Sequence, residues 1–597
     1  AFDRAARRAK RNHQRKHVEE LKDLADNDSV GFWKKVKKMN QRSQQIPLQV
    51  EINGEVVSDI SSVMNKWHDD FKTLFCNPNP NQFDADNLNF VLNRVSEIDA
   101  LRAALSYDDA NETNNSLNNP LTYEEVKTSV MKLKSNKATG PDCIPAECLK
   151  NRETINILYK IYTYCFESGA VPESWLASVI NPIFKAGSRY NPLNYRGIAL
   201  INIICKCYSS ILNRRICVWM DENDIINDEQ NGFRQARSCL DHMYVLYTIV
   251  KNRILLNRST FCCFIDAKKA FDCVHHDSLW YKLHNIGIRG KMLYAVRSLY
   301  DKAGLRSCIR LNEFVTDSFN ISAGVRQGDP LSPTLFSIYV NDLITELNRT
   351  GRGVRCGNMN ISALFYADDI VVMSETSQGL QAQLDTVHSW FYKWRMQLNQ
   401  DKTQIIHFRK KSNNISNCQF KCGNVNIKIT SKYKYLGLVF NEFMDTDQMV
   451  DDVIKSSTRA LGHVISKYKN CGGLIYETFN ALYQSCVQPV MMYGAALWGS
   501  KEFQKLNTVQ NKACKFFLGI SRSSPNIACH GDMGWLSVFA KQKIEMVRLW
   551  CRLQTMDNSR LTHKVFRWSN SLSLGYIHTW EYQIKELLKQ ADMYDGP

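Results

Sequence analysis

Residues 363–373 read Ala-Leu-Phe-Tyr-Ala-Asp-Asp-Ile-Val-Val-Met. Two apolar, strand-like arms enclose the adjacent carboxylates Asp368 and Asp369. Like charges repel, and burial disfavours both, so such a pair calls for compensation by cations. A second acidic strand lies upstream at Phe264-Ile265-Asp266-Ala267. Between the two runs the loop Gly324-Val325-Arg326-Gln327-Gly328-Asp329-Pro330-Leu331-Ser332-Pro333. Three carboxylates on two apolar strands, with a glycine- and proline-containing loop between them, point to divalent metal ions and phosphoryl-transfer chemistry. Two ions about 4 Å apart can activate a hydroxyl and stabilise a leaving phosphate. Such ions need hard oxygen ligands on rigid elements. Asp266 and Asp368 are the expected bridging ligands, Asp369 supports them, and the Ala267 carbonyl adds an oxygen.

The rest of the chain suits a polyanionic partner. With 597 residues it can bury several cores. Its net charge is +17, from 76 Lys plus Arg against 59 Asp plus Glu. Such an excess favours nucleic acid without proving it. Basic residues cluster at Arg4, Arg7, Arg8, Lys10, Arg11, Arg15 and Lys16, and again at Lys34, Lys35, Lys37 and Lys38 behind Phe32 and Trp33. These read as a phosphate-binding arm, against the plainer reading of a solvated helix face. Twenty cysteines follow no regular framework, so reduced thiols of an intracellular protein are expected. Cys418 with Cys422, and Cys529 beside His530, lack partner pairs at zinc-finger spacing. No apolar run reaches the eighteen or so residues of a membrane span. The chain opens on Ala1, which suggests a fragment.

Periodicity sets the expected elements. Residues 77–119 read as a variable connector rich in Asn, Asp and Pro. Thr122 and Glu125 form a capping box, and Val126, Val130 and Leu133 continue a helical stripe that Gly140-Pro141-Asp142 ends. A helix around 155–166 precedes a strand at 177–184, a polar loop at 185–196, and apolar residues at 198–204. Leu384, Val387, Phe391, Trp394 and Leu398 mark an amphipathic helix ending at Asn399. Strands are expected at 403–408 and 433–440, the second with Gly437 allowing close backbone approach. From 450 onward strands fade into helical stripes: Ile475, Phe479, Leu482 and Cys486, then Leu506, Val509, Ala513 and Phe516 flanked by Lys505, Lys512 and Lys515. No Walker loop, zinc-protease helix or nucleophile elbow occurs.

Eight segments, in one order, resemble the reverse transcriptases of non-LTR (LINE-type) retrotransposons. They are ATGPDCIPAE at 138–147, NYRGIALIN at 194–202, QNGFRQARSCLDH at 230–242, FIDAKKAFDCVHH at 264–276, GVRQGDPLSPTLF at 324–336, FYADD at 365–369, LNQDKT at 398–403 and YLGL at 435–438. The resemblance implies a right-hand polymerase of α/β (α+β) class, with fingers and palm around a four-ish-stranded antiparallel catalytic sheet, then an α-helical thumb. It implies a basic extension and connector over 1–119, fingers and palm over 120–445, thumb over 446–540, and a helical region of unknown role over 541–597.

It also implies roles. Asp266, Asp368 and Asp369 match the metal ligands, for two Mg²⁺ ions with Mn²⁺ as a possible substitute. Phe271 matches the bulky gate that excludes a ribose 2′-hydroxyl. Lys185 and Arg196 match triphosphate ligands. Gln327 and Gly328 match the loop under the incoming nucleotide, and Tyr366 and Ala367 belong to the same substrate site. Lys402 matches the position that protonates or neutralises the leaving pyrophosphate. Leu436 and Gly437 match the primer grip, and Phe233 and Arg234 a template-contacting segment. His275 and His276 read as structural helix-start residues. The implied partners are an RNA template, a DNA primer or nicked target DNA, and dNTPs, with no membrane. Action in the nucleus and assembly on RNA in the cytoplasm are expected.

Cys143 and Ala236 stand where the family usually has glycine, and Cys239 where it usually has threonine. No endonuclease domain is recognisable. The alternative reading is a catalytically silent or domesticated RNA-binding remnant. QNGFRQARSCLDH speaks against an intron-encoded maturase or a telomerase, and Phe271 against a viral RNA replicase.

Overall fold

The computed structural model describes residues 2–38, 45–76, 83–104, 116–301, 303–573, 575–576 and 578–591. Two mixed sheets organise it. In the first, β1 (Ala177–Phe184) and β2 (Tyr195–Ile201) pair antiparallel, from Ser178 opposite Ile201 to Phe184 opposite Tyr195. The second sheet begins with β3 (Thr260–Asp266). Strand β4 (Arg306–Leu311) joins the first sheet parallel to β1.

The second sheet continues with β5 (Ala363–Tyr366), β6 (Asp369–Ser374), β7 (Gln404–Phe408), β8 (Phe420–Cys422) and β9 (Val425–Ile429). Its strand order is β5-β6-β3-β7-β9-β8. It therefore has six strands rather than about four, and β7 runs parallel to β9. A short-range pattern cannot announce that parallel pair, because its strands are joined across β8.

Every residue of β3 except Asp266 is buried, because the sheet is covered on both faces. Alternate residues serve two different cores. Cys263, Ile265, Val372 and Ile405 face one, packed by the helices Ser332–Arg349 and Ser377–Lys393. Cys262, Phe264, Val371, Met373 and Ile406 face the other, packed by Cys239–Leu255 and the C-terminal helices. The period-two alternation of a strand thus explains why both arms of the acidic hairpin are apolar throughout.

Several local expectations hold. The Thr122–Glu125 capping box is formed, and β1 covers 177–184. His275 caps the helix His276–Asn285. Others shift. The capped helix stops at Met131, so Gly140-Pro141-Asp142 lies in a following loop. The 377–393 helix ends before Arg395, which takes a left-handed φ of 59°, and Asn399 is released to the site described below. The expected strand over 433–440 is a hairpin of β10 (Lys432–Tyr435) and β11 (Leu438–Asn441), turning at Leu436 and Gly437. The stretch at 77–119 is more than a connector. Within it the helix Ala85–Ala104 buries Val91, Val95 and Ile98, while 77–82 and 105–115 lie outside the described residues.

Upstream, Trp67 and Phe71 of the helix Ile60–Cys76 anchor it in the core shared with β1 and β2. The basic N-terminus forms the helices Phe2–Asn27 and Ser29–Lys38. Leu21, Phe32 and Val36 bury against the second core, and Lys467 donates to the Val36 carbonyl at 2.7 Å. Arg4, Arg8 and Arg15 remain exposed.

From Thr446–Asn470 onward all described elements are helical. Lys505 pairs with Asp451 at 3.3 Å, and Lys515 donates to the Arg522 carbonyl at 2.7 Å. Cys143 and Ala236 take left-handed φ values of 55° and 57°, a conformation that favours glycine. All twenty cysteines are unpaired. No helix among the described residues is long and apolar enough to cross a membrane.

Candidate active site

The β5–β6 turn is built on two central residues, Ala367 and Asp368, with Tyr366 paired to Asp369. Ala367 adopts φ 58°, the sign a tight hairpin turn requires at its first central position. A non-glycine residue there is strained and needs outside support. Gln230 supplies it: its Oε1 accepts the Ala367 N–H at 3.0 Å. Across the sheet Asp369 pairs directly with Asp266. Asp266, Asp368 and Asp369 therefore meet at one edge, although the first lies 102 positions before Asp368.

Their electrostatics are those of a site short of positive charge. Burial, then Asp368 and Asp266, push the Asp369 carboxyl up to about 6, although its outer side reaches water. Asp368 is raised by burial and by Asp266. Lys185 and Arg196 act in the opposite direction on Asp368, and Lys185 and Lys402 on Asp369. Lys185, just after β1, and Arg196, in β2, thus bear electrostatically on the acidic edge. Mutually repelling carboxylates with hard oxygens suit divalent cations.

Among the described residues no three acidic, His or Cys side chains converge tightly enough to hold one ion as they stand. The reason is visible at Asp266. Its Oδ2 accepts from Asn399 Nδ2 at 2.7 Å and faces Lys402 Nζ at 3.7 Å. Asn399 N–H also donates to the Asp266 carbonyl at 2.8 Å. A cation would compete with Lys402 for that carboxylate. Ala267 bridges to Leu398 in the same corner.

Phe271 follows the catalytic strand. One face stacks on Phe336, with ring centroids 4.5 Å apart, and the edge meets Phe233 at 6.1 Å. Its packing fixes the ring and leaves it part-buried against the core. The 324–328 loop is stitched to this turn. Gly324 N–H donates to Val274 O at 2.8 Å, and Val325 N–H to Phe271 O at 2.9 Å. A Cβ on Gly324 would lie 2.8 Å from the Asp272 carbonyl oxygen, so the two backbones touch. Gln327 Nε2 donates to Asp272 Oδ1 at 2.7 Å, and Gln327 O accepts from Ala199 N at 2.7 Å. Gly328 (φ 115°) packs against the Ala199 carbonyl.

Asp272 escaped the sequence reading. It is buried, and burial raises its carboxyl to about 6, against the Gln327 hydrogen bond and Lys269. Its position next to Phe271 was the available signal.

On the far side, Tyr433 of β10 stacks on Phe264 of β3 with centroids 4.4 Å apart. This seats the β10–β11 hairpin over the catalytic strand. Leu436 (φ 46°) and Gly437 (φ 87°) form its tip, and Tyr493 Oη donates to Leu436 O at 2.5 Å. Tyr366 sits beside Cys239 and His242; burial, then Cys239, raise its phenol to about 12.

Arg234 pairs with Asp221 at 3.2 Å and donates to the carbonyls of Ile226, Asn227 and Gln230. These bonds brace the loop that carries Phe233. Phe233 is 56% exposed and lines a cleft of about 440 Å³.

Two sheets, a carboxylate edge at the meeting of β3 with the β5–β6 hairpin, and a trailing helical region define the palm and fingers of a right-hand nucleic-acid polymerase. Residues 183–440 match the family model for reverse transcriptase (RNA-dependent DNA polymerase). Beyond that segment as well, the chain is similar to RNA-directed DNA polymerases of transposable elements. It is 25% identical over 415 residues to the probable RNA-directed DNA polymerase from transposon BS of Drosophila melanogaster, covering 66% of this chain and 44% of that one. The polymerase from mobile element jockey of Drosophila funebris is also 25% identical, over 67% of this chain and 44% of its own length. For the probable polymerase from transposon X-element of Drosophila melanogaster the identity is 23%, over 76% and 51%. The chain thus spans about half the length of these relatives. A solved apo telomerase from Candida tropicalis, truncated of its C-terminal domain, superposes with a TM-score of 0.34 and 13% identity over 49% of this chain and 60% of that one, too distant a likeness to bear on the reading.

Proposed function

We propose that this chain is an RNA-directed DNA polymerase, extending a primer 3′-end with deoxynucleotides on an RNA template. The observation that carries the reading is the cross-strand pairing of Asp266 with Asp369, with Asp368 in the adjoining turn and Lys185 and Arg196 directed at them. Asp266, Asp368, Asp369 and the Ala267 carbonyl would hold two magnesium ions, or manganese in their place. Bound there, divalent ions would favour the ionised primer hydroxyl and neutralise phosphate charge.

The other residues bind and orient. Lys185 and the forked Arg196 take the triphosphate. Phe271, held against Phe336, fills the volume a 2′-hydroxyl needs. Gln327 and Gly328 form the floor under the nucleotide, with Tyr366 and Ala367 at its edge. Lys402 exchanges Asp266 for the leaving pyrophosphate and supplies a proton or a charge to it. Leu436 and Gly437 hold the primer end, and Phe233 meets the template. The fingers and palm occupy 120–445, the thumb 446–540, and the exposed basic residues of the first helix contact phosphates. In an intact element the primer is nicked chromosomal DNA, which places the reaction in the nucleus after assembly on RNA in the cytoplasm.

Primer extension on poly(rA)–oligo(dT) tests this. Incorporation should fall by at least ~10²-fold in Asp368→Ala, the loss typical of removing a main electrostatic stabiliser. RNA binding without incorporation by the unaltered chain would mark a silent remnant. Phe271→Val should raise ribonucleotide use relative to deoxynucleotide by roughly 10–100-fold, the range a single steric contact commands. An unchanged ratio removes Phe271 as the gate.

A further inference from the structure

The helices Val538–Gln554 and Leu561–Leu572 lie outside the segment matched to the reverse transcriptase family. They nevertheless grip the loop that supports the catalytic turn. Asp241 is completely buried at the start of the 239–255 helix. Its carboxylate takes Arg552 on one oxygen, and Arg560 Nη2 at 3.1 Å plus the Ser238 N–H at 3.0 Å on the other. Arg552 Nη1 also donates to Ser238 Oγ at 3.1 Å, and Arg560 Nη1 to Ala236 O at 3.1 Å. The Leu561 N–H donates to the Asp228 carboxylate, which pairs in addition with Arg237.

The same loop is bonded at its other side to the acidic hairpin. Phe365 N–H donates to Glu229 O at 2.8 Å, and Asn231 N–H to Phe365 O at 2.9 Å. Gln230 Oε1 accepts the N–H groups of Gly232 and Ala367. A Cβ on Gly232 would stand 2.3 Å from the Ala367 nitrogen, so loop and turn are in backbone contact. Ala367 is the strained residue of that turn.

We propose that the 538–572 segment is a positioning element for polymerisation. Arg552 and Arg560, through Asp241, hold the 228–241 loop so that Gln230 keeps the Ala367–Asp368 turn in its left-handed form. The Asp368 carboxylate is thereby aimed at the reacting centre. Both arginines are positioning residues, since neither touches the carboxylate edge. The inference rests on the polymerase reading for its kinetic consequence, though not for its structural one.

The test uses the whole chain with Arg552→Ala/Arg560→Ala, Arg560→Lys, and Gln230→Met, which leaves the arginine clamp intact. Two quantities are read: hydrogen–deuterium exchange in the peptide spanning 363–373, and the single-turnover incorporation rate per titrated active site, which is blind to unfolded protein. In the double variant and in Gln230→Met, exchange across 363–373 should rise while the distant 152–168 helix keeps its protection. The rate should fall on the order of 10- to 100-fold, as expected for misplaced groups, with little change in KM for dNTP, and Arg560→Lys should recover part of it. Wild-type exchange across 363–373 in the double variant overturns the proposal. So does raised exchange with an unchanged rate, which reduces the segment to a stabilising one. Absence of incorporation by the unaltered chain would defeat the polymerase reading instead, and the exchange measurement would still decide whether the clamp holds the turn. Should the double variant not fold, Arg560→Lys, which perturbs the clamp with Arg552 in place, carries the decision.

Discussion

Asp369 and Asp241 show two opposite treatments of a carboxylate in one protein. Asp369 sits at an edge with Asp368 and Asp266 as neighbours, and its proton affinity is raised by burial and then by them. Asp241 is sealed from water, with two guanidinium groups and a backbone N–H closing around it. The first arrangement leaves charge uncompensated where a cation can enter. The second spends every acceptor inside the chain. The difference separates a place prepared for chemistry from one prepared for rigidity, and no residue type distinguishes them: both are aspartates at the ends of regular elements.

That contrast can be broken by substitution. The largest effect should come from Asp241→Asn, which leaves Arg552 and Arg560 facing each other without an anion. Removing one partner of a buried ionic group typically costs 3–5 kcal/mol, and Arg552, 41% exposed, recovers some hydration. A loss of about 3 kcal/mol in urea unfolding is therefore expected. Stability at the unaltered level would show the clamp to be slack.

Asp369→Asn should act in the other direction. It removes one of three repelling charges and should stabilise the metal-free chain while abolishing incorporation. The gain should be under ~1 kcal/mol, because water screens the open side of this carboxylate. Destabilisation would mean that Asp369 is paired after all. The smallest effect belongs to Lys402→Ala. Its side chain is half exposed and stands 3.7 Å from Asp266, so unfolding should change by less than ~0.5 kcal/mol. A larger loss would place Asp266 with Asp241 among the compensated carboxylates.

Much of the architecture was legible because it is local. Period-two apolar arms and a capping box depend on neighbours in sequence, and β1 and the Thr122 cap stand where those signals lie. The meeting of Asp266 with the Asp368–Asp369 turn followed from two acidic strands of matching apolar character. What escaped depends on distant contacts. The parallel pairing of β7 with β9 has no signature in either strand. The break at Leu436 was hidden by the continuous apolar pattern around it, since a left-handed residue in a hairpin need not be glycine. The three carbonyls that Arg234 serves are visible only in the fold. Asp241 and its partners lie more than three hundred residues apart, and a buried carboxylate carries no mark in the chain that a surface one lacks.

The double attachment of Gln327 has a mechanical consequence. Its carbonyl is tied to Ala199 in β2 and its amide to Asp272 in the turn after β3, each at 2.7 Å. The loop that carries Gln327 is thus a rivet joining the first sheet to that turn. Swinging the first sheet away as a unit would have to tear the rivet or tilt the loop with it.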